Sequence, residues 1–223
     1  MNGQDIMQIE WHQIELRYPR LRIVDARFQA RIMASLVTDG QQRPVLVVES
    51  GETTGEQRYV LIDGYARVAA LRRLGHDTVD ATVLATGEVD ALLFAHRLDG
   101  QRTRSMLEEA WLLRELVEEY ARTQAMLARQ LGRTKSWVSR RLALVRVLPD
   151  EVQEAVRSGR IPAHAAMKYL VPLARANTAG VTQLARRLGK EPVTVRQLER
   201  LYGAWRAGDS EQRERILAEP RLF

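Results

Sequence analysis

Residues 123–149 carry six cationic side chains, Arg129, Arg133, Lys135, Arg140, Arg141 and Arg146, and no Asp or Glu. A helical face in water normally mixes signs, because opposite charges one turn apart support the helix and like charges oppose it. Cations alone over an ordered segment call for an anionic partner, and a long array of them for a polyanion. Interleaved with them are hydrogen-bonding side chains: Gln124, Thr134, Ser136 and Ser139. Arg and Lys neutralise phosphates and read guanine edges, while amides and hydroxyls serve either kind of contact. The chemistry available here is non-covalent recognition of a nucleic acid.

The elements that must position these groups are two short helices and a tight turn. Thr123 and Thr134 are suited to cap them, since a hydroxyl accepts from the free N–H groups of a first turn. Leu127, Ala128 and Leu131 give the first helix its apolar face, and Val138 and Leu142 give the second its inward stripe. Gly132 falls where a left-handed backbone is wanted. This is the pattern of a DNA-reading helix-turn-helix. The second helix, residues 135–144, is predicted to enter the major groove. Lys135, Ser136, Ser139 and Arg140 would reach base edges; Gln124 and Thr134 would take phosphate. Arg133, Arg141 and Arg146 would add non-specific attraction, and Trp137 reads as an aromatic packed between helices. The plain alternative is a helical hairpin that only packs or binds protein.

Other chemistries are narrowed by composition. The 223 residues contain no Cys, which removes disulfides and thiolate metal sites, and carry a net charge of +6. His12, His76, His96 and His164 are scattered without metal-ligand spacing. No apolar run approaches the ~20 residues of a membrane span, and no secretion signal is visible. The chain reads as cytoplasmic and nucleoid-associated.

In order, residues 1–6 read as a loose end and 9–16 as an edge strand. Asp25 should cap a helix bearing Phe28, Ile32, Met33 and Leu36, ended by Asp39-Gly40. Strands at 44–48 and 59–62 should pair as a hairpin across a polar connection. A helix at 65–74 and a strand at 79–84 follow, and everything beyond reads helical. The expected fold is α+β: a small α/β domain at 7–99, an all-helical helix-turn-helix domain at 100–175, and a C-terminal helical extension at 176–223. Leu184-Ala185, Leu188-Gly189 and Val195 repeat the spacing of Leu127-Ala128, Leu131-Gly132 and Val138. That repeat is read as a packing echo, with a second reading element as the alternative. Leu198, Leu201, Tyr202 and Trp205 form an apolar stripe read as core, with a dimer contact as the sharper reading. Apolar residues left over at Leu222-Phe223 suggest a truncated C-terminus.

The order of parts resembles the ParB partition-protein family over about residues 8–175. IMASLVTDGQQRPVLVV is similar to the helix and strand before that family's nucleotide site, and YVLIDGYARVAALRRLG lies where the family carries a G-E-R-R-x-R-A box. LEEAWLLRELVEEY, the helix-turn-helix and LPDEVQEAVRSGRIPAHAAMKYL match its DNA-binding core. The resemblance implies a ParB/sulfiredoxin-like N-terminal fold; sulfiredoxin activity itself needs a cysteine. It also implies a homodimer gripping an inverted repeat in double-stranded DNA and, in partition members, a clamp switched by CTP with Mg²⁺. The nucleotide site would lie at Gly64, Tyr65 and Arg67. Gly64, Arg67 and Ala70 of the box are retained, whereas Tyr65 replaces the acid, Ala66 an Arg and Ala69 the last Arg. AHRLDGQ, residues 95–101, stands where the family has E-N-x-x-R. Missing charges leave a triphosphate and Mg²⁺ with few ligands, and an ordinary strand-to-helix turn is the plainer reading of Asp63-Gly64.

The expectation is therefore a sequence-specific DNA-binding protein of ParB type, serving plasmid or chromosome partition or regulating a mobile element. Two alternatives stand beside it. One is a CTP-switched clamp with weak CTPase activity. The other is an adaptor with only non-specific DNA binding that recruits a partition ATPase or a mobile-element protein. The family meets its ATPase through a basic N-terminal segment, and residues 1–16 contain no Lys or Arg.

Overall fold

Two strands that follow one another almost directly lie on opposite edges of one sheet. β1 (Ile6–Glu10) pairs antiparallel with β5 (Thr78–Val83), and β2 (Ile14–Glu15) pairs parallel with β4 (Tyr59–Asp63). With β3 (Val45–Glu49) the sheet order is β1-β5-β3-β4-β2. A single 3-10 turn, Trp11–Gln13, joins the outer strands. Four Cα steps cover at most ~15 Å, whereas the outer strands of a flat five-stranded sheet lie ~19 Å apart. The sheet must curl, and it forms a mixed half-barrel. The single edge strand expected at 9–16 is thus two strands and a turn. Both strands carry an alternating pattern, so nothing local marks the switch of edge.

The computed structural model describes residues 6–51, 57–98, 104–189 and 191–220. The expected loose start at 1–5, the middle of the polar connection at 52–56, the seam at 99–103 and the final residues 221–223 lie outside the described residues. The chain divides into two units, Met1–Thr103 and Arg104–Phe223.

In the first unit α1 (Ala26–Asp39) starts where expected, with Asp25 accepting from the N–H groups of Arg27 and Phe28. β3 and β4 form the expected antiparallel hairpin, with a register shift between Leu46 and Val47. α2 (Tyr65–Arg73) and α3 (Glu88–Leu98) complete the unit. Ile9, Val45, Val47, Leu61, Ala70 and Val79 are at most 1% exposed in its core.

The second unit is all helical: α4 (Met106–Glu118), α5 (Gln124–Gln130), α6 (Lys135–Arg146) and α7 (Asp150–Arg157) lead into α8 (Ala163–Ala165). A π turn (Ala166–Leu170) links α8 to α9 (Val171–Ala176). Pro172 explains the interruption, because it offers no N–H to the preceding turn and its ring crowds the carbonyl four residues back. α10 (Thr178–Leu188), α11 (Val195–Ala207) and α12 (Ser210–Ala218) follow. Residues 176–223 share one core with the helix-turn-helix: Leu144, Leu184, Leu198 and Leu217 belong to the same buried cluster. The sequence echo at 184–195 does not extend to packing. α10 lies against α7, α9 and α12, and α11 lies against α8, the π turn and α12. Val195 is exposed, and Leu198 takes the buried place.

Candidate nucleic-acid interface

The motif is built from its caps inward. The Thr123 hydroxyl accepts from the Met126 N–H at 3.2 Å, and the Thr134 hydroxyl accepts from the Trp137 N–H at 3.1 Å. α5 ends on Gly132, whose φ of +62° suits a residue without a Cβ. There the Arg133 N–H reaches the Ala128 carbonyl at 2.8 Å and the Gly132 N–H reaches Arg129 at 3.2 Å. These two bonds are a Schellman closure, which satisfies carbonyls the helix would otherwise orphan. Leu127, Ala128, Val138 and Leu142 are buried as their spacing predicts. Each large apolar side chain so buried contributes about 1.5–3 kcal/mol.

Burial divides α6 along its length. Ala143, Leu144 and Val145 join Leu142 in the core, so the C-terminal half is enclosed. Lys135, Ser136, Ser139 and Arg140 are exposed, as are Arg133 and Thr134 in the turn. Gln124 is half-buried at the start of α5. Arg133, Lys135 and Arg140, together with Arg129 on α5, have no carboxylate partner among the described residues.

The other two cations are engaged. Arg141 donates from Nε to Glu109 Oε2 at 2.6 Å, with only 12% and 15% of the two side chains exposed, and its guanidinium also meets the Met167 sulfur at 3.5 Å. Arg146 lies against Glu118 at 3.1 Å in a more open ion pair. Trp137 is half-buried, with the Arg141 guanidinium 5.0 Å and the Arg133 guanidinium 5.4 Å from its ring centre. Glu109 was not singled out from the sequence. The available signal was helical phase, since Arg141 lies only about 60° around the helix from Val138 and so faces the neighbouring helix.

Comparison with known proteins bears on this arrangement. The ParB HTH domain model matches residues 103–207. The chromosome-partitioning protein ParB of Caulobacter vibrioides is 33% identical over 172 residues, which is 75% of this chain and 52% of that protein. The chain belongs to the ParB family. A nucleoid occlusion protein of Lysinibacillus sphaericus is 31% identical over 158 residues, 66% of this chain and 51% of its own length. This ParB-family chain therefore spans about half the length of the curated relatives it matches. A solved structure of the C-terminally truncated ParB from Caulobacter crescentus, complexed to the centromeric parS site, matches with a TM-score of 0.48. It is 27% identical, over 88% of this chain and 98% of that one.

The family resemblance directs attention to a second place, the turn from β4 into α2. Gly64 has a φ of +106°, and a Cβ there would fall 2.5 Å from Val45 Cγ1, so only glycine fits. The two oxygens of Asp63 hold Arg22 at 2.9 Å and Arg67 at 3.0 Å. Arg67 also reaches the Arg43 carbonyl at 3.4 Å. Tyr65 donates to the Leu61 carbonyl at 2.8 Å and accepts from the Tyr18 N–H at 2.9 Å. Burial pushes its phenol well above the ordinary tyrosine range, so it remains a neutral donor. These side chains do not fit CTP and Mg²⁺. A carboxylate of the turn already neutralises both arginines, and the residue standing for the family's acid is a phenol tied to backbone. Among the described residues Gly64, Tyr65 and Arg67 act together as a structural strand-to-helix turn.

Proposed function

We propose that this chain is a sequence-specific DNA-binding protein of ParB type that reads an inverted repeat as a homodimer, in partition or in the regulation of a mobile element. The observation that carries this reading is the exposed N-terminal half of α6. Lys135, Ser136, Ser139 and Arg140 project there without a single acid in either motif helix. An α-helix fits the major groove, and its N-terminal residues are the ones that approach base edges. Arg140 is assigned a base contact. Gln124 and Thr134 take phosphate, helped by the free N–H groups at the start of α6. Arg133, just ahead of the cap, supplies a further phosphate contact. Arg141 is assigned to holding α6 on α4, and Arg146 a minor share of general attraction. The curated relatives are chromosome-partitioning and nucleoid occlusion proteins, which favours action on the nucleoid.

Selection of bound fragments from sheared genomic DNA, followed by sequencing, tests the proposal. The expected result is a narrow set of fragments sharing an inverted repeat, unchanged by CTP and Mg²⁺. Arg140→Ala should cost about 1–3 kcal/mol on that site and relax its sequence preference. Featureless, salt-sensitive recovery of all DNA would leave only non-specific binding and favour the adaptor reading. Outward spreading of the signal with CTP alone would restore the clamp.

A further inference from the structure

Four side chains form a line from the interior of the second unit to its surface. Glu109 on α4 fixes the Arg141 guanidinium at 2.6 Å; Arg141 lies 5.0 Å from the Trp137 ring centre; Arg133 lies 5.4 Å from the same ring. The inner end is secured twice, by Glu109 and by the Met167 sulfur. The outer end has no carboxylate partner among the described residues. Val138 and Leu142 already supply the inward packing of α6, so the half-buried indole is not needed to seal the helix pair.

We propose that Trp137 is a positioning residue for the DNA contact made by Arg133, an inference that rests on the DNA-binding reading above. An exposed arginine in a field of like charges has many rotamers, and ordering it on a phosphate costs a substantial part of its side-chain entropy. An indole face is the best ring for holding a guanidinium without neutralising it. The ring itself is held in register because the Trp137 N–H is the one capped by Thr134. Arg133 is thereby presented beside the first turn of α6, where N–H groups and a positive end of the helix dipole also attract phosphate. A carboxylate in place of the ring would fix the arginine equally well but cancel its charge.

The test is a double-mutant cycle on the intact chain, read as affinity for the selected duplex and as the salt dependence of that affinity. Trp137→Leu should weaken binding about threefold, the worth of one exposed cation–π contact. Arg133→Ala should weaken it further and lower the salt slope by about one counterion. Adding Trp137→Leu to Arg133→Ala should then change nothing more. Trp137→Tyr should retain most of the affinity, which guards against a Leu variant that folds poorly. Additive losses in the double variant, or a Tyr variant as weak as the Leu one, would overturn the inference. If the unaltered chain shows no salt-dependent DNA binding, the DNA reading itself fails and this inference with it.

Discussion

Arg141 Nε donates to Glu109 Oε2 at 2.6 Å, and through that bond the second helix of the motif is tied to α4, 32 residues earlier. The pair is mostly enclosed, whereas the neighbouring Arg146–Glu118 pair leaves 35% and 47% of its side chains exposed. An enclosed ion pair left with one partner retains a buried charge, and an open one is re-solvated.

Glu109→Gln should therefore lower stability by about 2 kcal/mol. Glu118→Gln should cost less than ~0.5 kcal/mol. Urea midpoints at constant slope measure both. Equal effects would mean that Arg141 is not an anchor.

Ala121, between α4 and α5, has a φ of +50° in the left-handed region. An L-residue there costs roughly 1–2 kcal/mol, and glycine gives back ~0.5–1 kcal/mol through its freer unfolded chain. Ala121→Gly should thus stabilise the protein by about 0.5–1 kcal/mol. A lower melting temperature would show that the Ala121 methyl makes contacts worth more than the strain.

Asp63 holds Arg22 and Arg67 together, so CTP with Mg²⁺ should leave the melting temperature unchanged. A nucleotide present at a hundred times its Kd would add about 2.7 kcal/mol. Asp63→Asn removes the internal anion, and its melting temperature should rise with added sulfate more than that of the unaltered chain. Thermal shifts of the unaltered chain with CTP would overturn the assignment of this turn as structural.

The Arg186 hydrogen bond at 2.5 Å holds the Glu151 carboxyl below the ordinary glutamate value of 4.5. A depressed carboxyl contributes stability above its unfolded value and loses that contribution as pH falls through its folded value. The tie between α7 and α10 should weaken only in acid, below that ordinary value. A carbon-13 carboxyl titration should place Glu151 low in the unaltered chain and return it upward in Arg186→Ala. Identical titrations would show that the guanidinium does not bond in solution.

Legibility followed the range of the interactions. Thr123, Gly132 and Thr134 could be placed from sequence because a cap bonds two or three residues away. Val138 and Leu142 declared themselves by helical spacing, and the β3–β4 hairpin by two β-branched runs. Arg141 looked like another surface cation because its partner is 32 residues off. Tyr65 looked like a lost ligand, and only the folded chain gives its phenol the Tyr18 and Leu61 backbone as partners. α12 escaped notice because only Ile216 and Leu217 are buried in a charged segment. The exchange of edges between β1 and β2 depends on the curl of the whole sheet, which no local pattern encodes.

The π turn has a consequence for how this chain tolerates insertion and deletion. Ala165, Tyr169 and Leu173 form one buried row, and Ala166, Leu170 and Ala174 form another, each stepping by four residues. At 3.6 residues per turn such rows wind away by about 40° per step. The wider turn takes up part of that drift and lets both rows meet the same core. Removing one residue between 166 and 170 would restore ordinary helix and rotate everything beyond it by about 100°. The helices from α9 to α12 would then present the wrong faces to Leu144 and its neighbours. This segment is a fixed gauge, free to change its residues and not its length.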